Sequence, residues 1–266
     1  MKSKNTHLKE SQVVAIVNDV HFDQHDGPTW RAFRQWHKDV RPHKTIFLGD
    51  FLDLGMVSRY AVGKNDPLYA IDQIKCFVAE ANALKKECNE LVVIEGNHDE
   101  RWDKYVMGNT AFALKNAVGL SLKDQCFAQG LEKKTTWVRE DIQVRGIQCG
   151  PFTLRHGHNQ ARGFGGGGKH LAANRIMKTL GQSEVFGHHH RAQLYCQTAH
   201  GKTAIAIANG CMTGNHGYDV DPNWQRGFCV LELYGPDNKY ATPNLVIIQD
   251  GHFAYGGKVY NGNNTK

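Results

Sequence analysis

Three short apolar segments in the first hundred residues each end in a polar cluster, and this arrangement limits the folds that the chain can adopt. Val13 to Val17, Thr45 to Leu48 and Leu91 to Ile94 are uncharged and rich in β-branched residues, which is typical of buried strands. Between them, Trp30 to Asp39 and Pro67 to Cys88 have apolar residues at helical spacing. The alternation predicts strand-helix-strand units and a sheet covered by helices.

The second half of the chain has a different pattern, with fewer helices and more strands. Helices are predicted over residues 100 to 120 and Lys169 to Leu180. Strands are predicted at Thr136 to Val138, Ile142 to Val144, Phe152 to Arg155, Glu184 to Phe186, Gln193 to Thr198, Thr203 to Ala208, Phe228 to Tyr234 and Leu245 to Ile248. This half should supply a second sheet. No linker divides the chain, so we expect one domain over residues 1 to 260, with residues 100 to 150 as a candidate lid and 261 to 266 as a frayed tail.

The polar clusters combine three kinds of metal-binding side chain. The first three clusters provide Asp19 and His21, then Asp50 and Asp53, then Asn97 to Asp99, and histidines follow at positions 156, 158 and 188 to 190. In sheets of this kind, ligands bind beyond the carboxyl ends of the strands. Carboxylate, amide and imidazole donors in this ratio suit two divalent metals rather than one, and Asp50 is the natural carboxylate to bridge them.

Taken alone, most of these residues have simpler explanations, because an Asp after a strand often caps a helix and a lone His is often structural. Together, however, the clusters resemble the motifs of the calcineurin-like metallophosphoesterase superfamily, in the order of that family. The motifs are D-x-H (Asp19, His21), G-D-x-x-D (Gly49, Asp50, Asp53), G-N-H-[DE] (Gly96 to Asp99), H-G (His156, Gly157) and G-H-x-H (Gly187, His188, His190). The resemblance implies an α+β fold, a two-sheet β-sandwich flanked by helices in four layers.

The resemblance also implies a role for each motif residue in a two-metal phosphoesterase. One metal would be held by Asp19, His21, Asp50 and His190, and the other by Asp50, Asn97, His156 and His188. His98 would donate a proton to the leaving oxygen, oriented by Asp53, while a hydroxide that bridges the metals attacks phosphorus. Mn²⁺ is the expected metal, with Fe or Zn²⁺ as alternatives.

The basic residues are concentrated beside the last two motifs. Lys plus Arg number 32 against 26 Asp plus Glu, a net charge of +6. Residues 151 to 215 contain seven basic residues and one acid, Glu184, and so hold the whole excess. This distribution favours a nucleic-acid backbone as partner. The candidate substrate-binding residues are Arg162, Lys169, Arg175, Arg191, His158 and His189; Trp224 is either a surface on which a base stacks or a core residue.

The residue that follows Asp53 narrows the substrate class. The protein Ser/Thr phosphatases of the superfamily have an arginine there that grips a phosphomonoester, whereas this chain has Leu54. We therefore predict a phosphodiesterase or nuclease acting on nucleic acid or nucleotides, similar to the nuclease core of the SbcD-type exonucleases. The alternatives are a small-molecule phosphomonoesterase or cyclic-nucleotide phosphodiesterase, and a non-catalytic scaffold. The scaffold of this fold in retromer lacks the complete ligand set that is present here.

Two further features bear on location. The apolar segments are too short to cross a bilayer. The seven cysteines are scattered and include no C-x-x-C pair, which fits a reducing compartment. We therefore expect a cytoplasmic protein with no membrane partner.

Overall fold

Two β-sheets packed face to face form the centre of the computed structural model, which describes residues 11–58, 69–115, 117–139, 146–158, 170–179, 181–214 and 223–264. The strands are β1 (Gln12–Val17), β2 (Lys44–Leu48), β3 (Glu90–Ile94), β4 (Thr136–Val138), β5 (Ile147–Cys149), β6 (Phe152–Arg155), β7 (Ser183–Phe186), β8 (Ala192–Ala199), β9 (Lys202–Asn209), β10 (Gly227–Tyr234), β11 (Tyr240–Ile247), β12 (His252–Tyr255) and β13 (Lys258–Asn261). The helices are α1 (Gly27–Val40), α2 (Ala70–Lys85), α3 (Glu100–Asn109), α4 (Leu122–Ala128) and α5 (Leu171–Lys178).

The first sheet has six strands in the order β11-β10-β1-β2-β3-β4. Strands β1 to β4 are parallel, and β10 and β11 continue the sheet in antiparallel fashion. The second sheet has the order β5-β6-β7-β9-β8, with a parallel centre of β6, β7 and β9 between antiparallel outer strands. Strands β12 and β13 form a separate hairpin. Because β1 to β3 are parallel, their carboxyl ends lie at one edge of the sheet.

Alternate side chains of the first sheet enter two different cores, which explains the layers. In β1, Val14 and Ile16 pack with Leu154 and Val185 of the second sheet. Their neighbours Ala15 and Val17 point to the opposite face, into a cluster that contains residues of α1, α2 and α4. On the far side of the second sheet, α5 packs through Ala172 and Ile176 against β9. The order helices, sheet, sheet, helix confirms the predicted four-layer α+β fold.

Local chemistry accounts for the start of helix α1. Asp26 precedes α1, and its Oδ1 accepts a hydrogen bond from the backbone N–H of Thr29 at 2.9 Å. Pro28 occupies the first turn, where no amide hydrogen is needed. Aromatic side chains of α1 then bury against the first sheet; Phe33 lies edge to face with Phe228 at 5.1 Å between ring centroids.

The structure also differs from the sequence prediction in several elements. Helix α4 and the β12–β13 hairpin were not predicted, and β11 begins five residues before the predicted strand at Leu245. Asn261 ends β13 instead of beginning a tail. Part of the candidate lid belongs to the helical layer, because Leu122, Cys126 and Leu131 are buried in the same cluster as α2. The predicted strand at residues 142 to 144 lies outside the described residues.

Within the described segments, no helix combines the length and apolar character that crossing a membrane requires. All seven cysteines fall in those segments, and each is a free thiol there.

A buried histidine of α1 links the stability of the fold to pH. His37 Nδ1 lies 2.7 Å from Glu87 Oε2, and its Nε2 lies 2.7 Å from Thr45 Oγ1. Burial lowers the pKa of His37 from 6.5 to about 4, although the hydrogen bond with Glu87 opposes the shift. The folded chain therefore keeps this ring neutral at pH values where the unfolded chain protonates it.

We expect the stability of the fold to fall as the pH decreases from 6.5 toward 4, because the unfolded state then binds a proton that the folded state excludes. From pH 7 to pH 5, His37 alone should remove roughly 2 kcal/mol from the free energy of unfolding. Urea denaturation of the wild type and of His37→Gln at both pH values measures this. The variant should lose less stability than the wild type, and equal losses would contradict the role given to His37.

Candidate metal centre

The five polar motifs follow five strands whose carboxyl ends meet at one edge of the sandwich. Strands β1, β2 and β3 lead into the first three motifs, and β6 and β7 lead into the last two. Within each sheet these strands are parallel neighbours, so the loops that follow them lie side by side. The structure thus brings together the seven residues that were predicted as metal ligands.

The donor atoms form two adjoining groups. Asp19, His21 and His190 offer one ligand atom each within 4.8 Å of one another, and so do Asp50, His156 and His188. The first group contains three of the four residues predicted for one metal, and the second contains three of the four predicted for the other. A third such group joins His98 to His21 and Asp50.

Short distances connect the two groups through His156. Its Nε2 lies 3.1 Å from Asp50 Oδ2 and 3.9 Å from Asp19 Oδ1. The side-chain oxygen of Asn97 is 3.2 Å from the same nitrogen, and on the other side His190 Nε2 is 3.3 Å from Asp19 Oδ1. The carboxylates of Asp19 and Asp50 therefore both lie near His156, and Asp19 also lies near His190.

Several of these residues have a backbone conformation that L-amino acids rarely adopt. The left-handed φ values are 49° for Asp19, 49° for His21, 50° for Asp50, 71° for His188 and 55° for His190. Hydrogen bonds between the first two loops hold this conformation, because the amide of Asp19 donates to Gly49 O at 3.0 Å and that of His21 to Asp50 O at 3.1 Å. Such strain is concentrated at functional sites.

Three of the four motif glycines are required because other motif residues approach them closely. A Cβ on Gly49 would lie 2.3 Å from His156 Nδ1, and one on Gly96 would lie 2.2 Å from Asp50 Oδ1. A Cβ on Gly187 would lie 2.8 Å from Asp19 Oδ2. Each glycine therefore makes room for a proposed ligand that comes from a different strand.

Burial and neighbouring charges act in opposite directions on the carboxylates. Burial alone would raise the pKa of Asp19, but the His190 and His156 imidazoles hold it far below its usual range. Burial would likewise raise the pKa of Asp50, but the His156 and His98 imidazoles hold it well below its usual range. Both carboxylates are therefore charged at neutral pH, as metal ligands must be.

The pKa values of the histidines shift in different directions, depending on which groups lie beside each ring. Burial would lower the pKa of His156, but Asp50 and Asp19 raise it to about 10. At His188, burial and the charge of His156 lower the pKa to about 3. His21 also has a lowered pKa, chiefly because it is buried.

The residues at this edge fit divalent metal ions on three counts. Oxygen and nitrogen donors converge there in two groups. Asp19 Oδ1 is buried and accepts no well-aligned hydrogen bond from a described residue, although imidazole nitrogens lie near it. His156 Nδ1 lies 2.8 Å from the carbonyl oxygen of Leu48, which fixes the ring and leaves Nε2 as the donor atom.

Comparison with known proteins decides the family. The sequence model of the calcineurin-like phosphoesterases matches residues 13–192, which include all five motifs. The chain belongs to this family. Membership supports metal-dependent phosphoester hydrolysis as its general activity.

The individual relatives have low sequence identity to this chain. The Gene 54 proteins of Mycobacterium phages L5 and D29 are 22% identical over 263 residues and 23% identical over 264 residues, and each alignment covers 94% of this chain and 99% of the relative. Among solved structures, wild-type Vps29 from Entamoeba histolytica complexed with Zn²⁺ has a TM-score of 0.47 and 15% identity, covering 94% of this chain and 99% of that chain.

In this phosphoesterase, Asp53 contacts two histidines of the site. Its Oδ1 lies 3.1 Å from His98 Nδ1 and 3.2 Å from His21 Nδ1. Burial opposes ionisation of Asp53, but the hydrogen bonds with His21 and His98 hold its pKa far below the usual range. A charged carboxylate on Nδ1 of His98 fixes the orientation of that ring.

The structure places the predicted substrate-binding residues in different surroundings. His158 is near the ligands, with its ring 5.5 Å from His156, and its Nε2 is 3.4 Å from Glu100 Oε1. The His189 ring is 5.2 Å from His188, and Arg191 follows His190 directly and is half-buried. Arg162 and Lys169 lie outside the described residues.

Arg175 does not lie with the other candidates. It is on α5, is 6% exposed, donates a hydrogen bond to Glu184 and lies over the ring of Phe186 at 5.0 Å. Arg155 is 2.9 Å from the same carboxylate. We therefore assign Arg175 to the packing of α5 on the second sheet. Two of the seven basic residues of this stretch therefore share one carboxylate, that of Glu184.

Some contacts of the site were not predicted from the sequence. Asp99 Oδ2 accepts from the amide of Gly96 at 2.7 Å and its Oδ1 from the amide of Leu52 at 3.0 Å, so it joins the second and third motifs. Arg101 contacts His98, three residues earlier, a spacing that places both on one side of a helix start. The ring of Trp224 is 4.5 Å from that of His190, which places this half-buried residue beside a ligand.

Replacing Gly96 should disrupt metal binding. In Gly96→Ala, the new Cβ would lie 2.2 Å from Asp50 Oδ1 and 2.3 Å from Asp50 N, so the Asp50 ligand must move. We expect the Mn²⁺ retained after equilibrium dialysis, measured by mass spectrometry, to fall about tenfold or more, since misplaced ligands cost that much in affinity.

Gly108→Ala is the matched control. Gly108 lies in α3 with nothing within 4 Å of an added Cβ, and alanine is a better helix former. This variant should retain metal like the wild type. Equal metal content in the two variants would show that the approach of Gly96 to Asp50 does not matter for binding.

Proposed function

We propose that the chain is a dinuclear metal-dependent phosphodiesterase that acts on nucleic acid or nucleotides. The observation that carries the proposal is the division of the donors into two adjoining groups, with Asp50 on the boundary between them. Asp50 would then be one of the residues that hold both ions. His98, beside Asp50 but held by Asp53, is left to act on the substrate.

Each part of the site has a defined task in hydrolysis. Divalent ions held by the two groups of donors would supply a water of lowered pKa and would offset negative charge on the phosphoryl oxygens. A bond forms between the water oxygen and phosphorus as the bond to the leaving oxygen breaks, and the leaving oxygen takes a proton from His98 Nε2. Asp53 keeps the His98 ring in position through Nδ1. No covalent intermediate with the chain is needed.

The surroundings of Leu54 support a diester as substrate. This residue holds the position at which protein phosphatases of the superfamily have an arginine. Leu54 is fully buried in the helical core, and its amide donates to Gln73 Oε1 at 2.9 Å. The side chain at this position is an apolar part of the helical core, so the position offers no second cation for a phosphomonoester dianion.

One observation favours the alternative of a small phosphomonoester or cyclic nucleotide. Arg155 and Arg175 both bond to Glu184, and Lys202 begins β9, whose other end at Asn209 contacts Asn18 beside the site. Seven residues of strand separate Lys202 from that end, about 23 Å. These three residues therefore add little to a surface for a long polyanion.

A substrate panel tests the proposal. With Mn²⁺, the wild type should hydrolyse bis-p-nitrophenyl phosphate and single- or double-stranded DNA faster than p-nitrophenyl phosphate. Asp50→Asn should abolish turnover and reduce bound metal, because an amide carries no charge to share between two ions. Asp237→Asn is the control, since Asp237 is exposed, has a left-handed φ that asparagine tolerates, and lies in the loop before β11, which begins at Tyr240.

The panel separates the candidates. Rapid turnover of a monoester or a cyclic nucleotide while DNA stays intact would replace the proposed substrate by the alternative. No turnover of any phosphoester by a metal-loaded chain would contradict the enzyme assignment and support a scaffold. Full activity in Asp50→Asn would contradict the bridging role.

His98→Asn should separate proton donation from metal binding. We expect the variant to keep its metal but to lose about 10²–10⁴-fold in rate with poor leaving groups such as a nucleoside hydroxyl. The loss should be much smaller with bis-p-nitrophenyl phosphate, whose leaving group needs no proton. Metal analysis and leaving-group dependence of kcat measure both effects. Loss of metal in this variant would identify His98 as a ligand instead.

A further inference from the structure

Arg101 is a cation at the edge of the metal centre that the motifs do not explain. It lies in the first turn of α3 and is half-buried. Its Nη1 donates to the carbonyl oxygen of Asp53 at 2.8 Å, and its Nη2 is 2.9 Å from His98 Nε2. The guanidinium is thus fixed beside the face of His98 that a leaving oxygen would approach.

No carboxylate among the described residues pairs with this guanidinium. Five other arginines have such a partner within 4.0 Å: Arg34, Arg139, Arg155, Arg175 and Arg226. Arg101 instead bonds to one carbonyl oxygen and one imidazole nitrogen, and uses only two of its five N–H groups on described residues. A half-buried cation without an acidic partner indicates that an anion completes its bonding.

The bond to His98 also conflicts with proton donation by that residue. A guanidinium has no acceptor atom, so His98 Nε2 accepts the hydrogen bond from Arg101. The same nitrogen cannot donate to a leaving oxygen while it accepts from Arg101. When a substrate binds, Nη2 must therefore leave His98 and find another acceptor.

We propose that this acceptor is a non-bridging phosphoryl oxygen of the substrate, and that Arg101 is the residue that binds it. Nη1 stays on the carbonyl of Asp53 as an anchor, while Nη2 moves from His98 to the phosphate. The same movement frees His98 Nε2 to take a proton from solvent and donate it to the leaving oxygen. Arg101, at the start of α3, thus binds one non-bridging oxygen, which a phosphodiester also presents. This inference rests on the proposed function, since it assigns a substrate-binding residue to that site.

Binding of inorganic phosphate tests the proposal without turnover. The Mn²⁺-loaded wild type, Arg101→Met and Arg101→Lys are titrated with phosphate by calorimetry, after metal analysis of each sample. Arg101→Met should bind phosphate about 10- to 100-fold more weakly with unchanged Mn²⁺, because a charge-assisted hydrogen bond is lost. Arg101→Lys should recover part of the affinity, since it keeps the charge but not the planar fork. Lys123→Gln, which removes an exposed charge from α4, should bind like the wild type.

Several results would overturn the role of Arg101. These are phosphate affinity equal to the wild type in both Arg101 variants, loss of Mn²⁺ in both, or no phosphate binding by the wild type. The proposed function can fail separately. Suppose that the wild type hydrolyses no phosphoester but that Arg101→Met binds phosphate more weakly than the wild type. The proposed function is then wrong, and the role of Arg101 in phosphate binding is supported. If diesters are hydrolysed and phosphate affinity does not depend on Arg101, the proposed function is supported and the role of Arg101 is wrong.

Discussion

The backbone and side chain of Asp50 bond to loops that come from three other strands. Its carbonyl oxygen accepts from the amide of His21, its Oδ1 from the amide of His98 at 2.8 Å, and its Oδ2 lies 3.1 Å from His156 Nε2. The chain therefore uses one residue to align the ends of β1, β3 and β6 with β2. A shift of Asp50 changes all four loops at once, so the glycines that make room near it are structural requirements of the site.

This alignment is unfavourable locally and must be stabilised by the rest of the fold. Left-handed backbone at non-glycine residues costs roughly 1 kcal/mol or more for each residue, and buried carboxylates add a cost of desolvation. The two cores on either side of the first sheet oppose these costs, since β1, β2 and β3, which lead into three of the motifs, are buried on both faces. Ligand positions are thus fixed by packing below the edge, and a bound cation would relieve the repulsion between Asp19 and Asp50.

The sequence predicts the parts of this molecule that depend on short-range patterns. Strand β4 at Thr136 to Val138 and strand β6 at Phe152 to Arg155 have the predicted bounds, and the seven proposed ligands lie within motifs of a few residues. Helix α4 was missed because seven residues give too little helical periodicity. The role of Asp99 was missed for another reason: its partner Leu52 is 47 residues away, and only the pairing of β2 with β3 brings them together.

The electrostatic role of each arginine depends on contacts that a count of basic residues does not include. Residues 151 to 215 have an excess of basic residues, but such a count does not distinguish one arginine from another. Arg175 forms an ion pair with Glu184 where α5 packs on the second sheet. Arg101 lies outside that stretch and was not counted at all. What distinguishes them is the partner of each guanidinium, because an arginine bonded to a buried carboxylate is already neutralised, whereas one bonded to an imidazole keeps its charge for an anion. The electrostatic character of the site therefore follows from which cations lack an acid, and not from how many cations surround it.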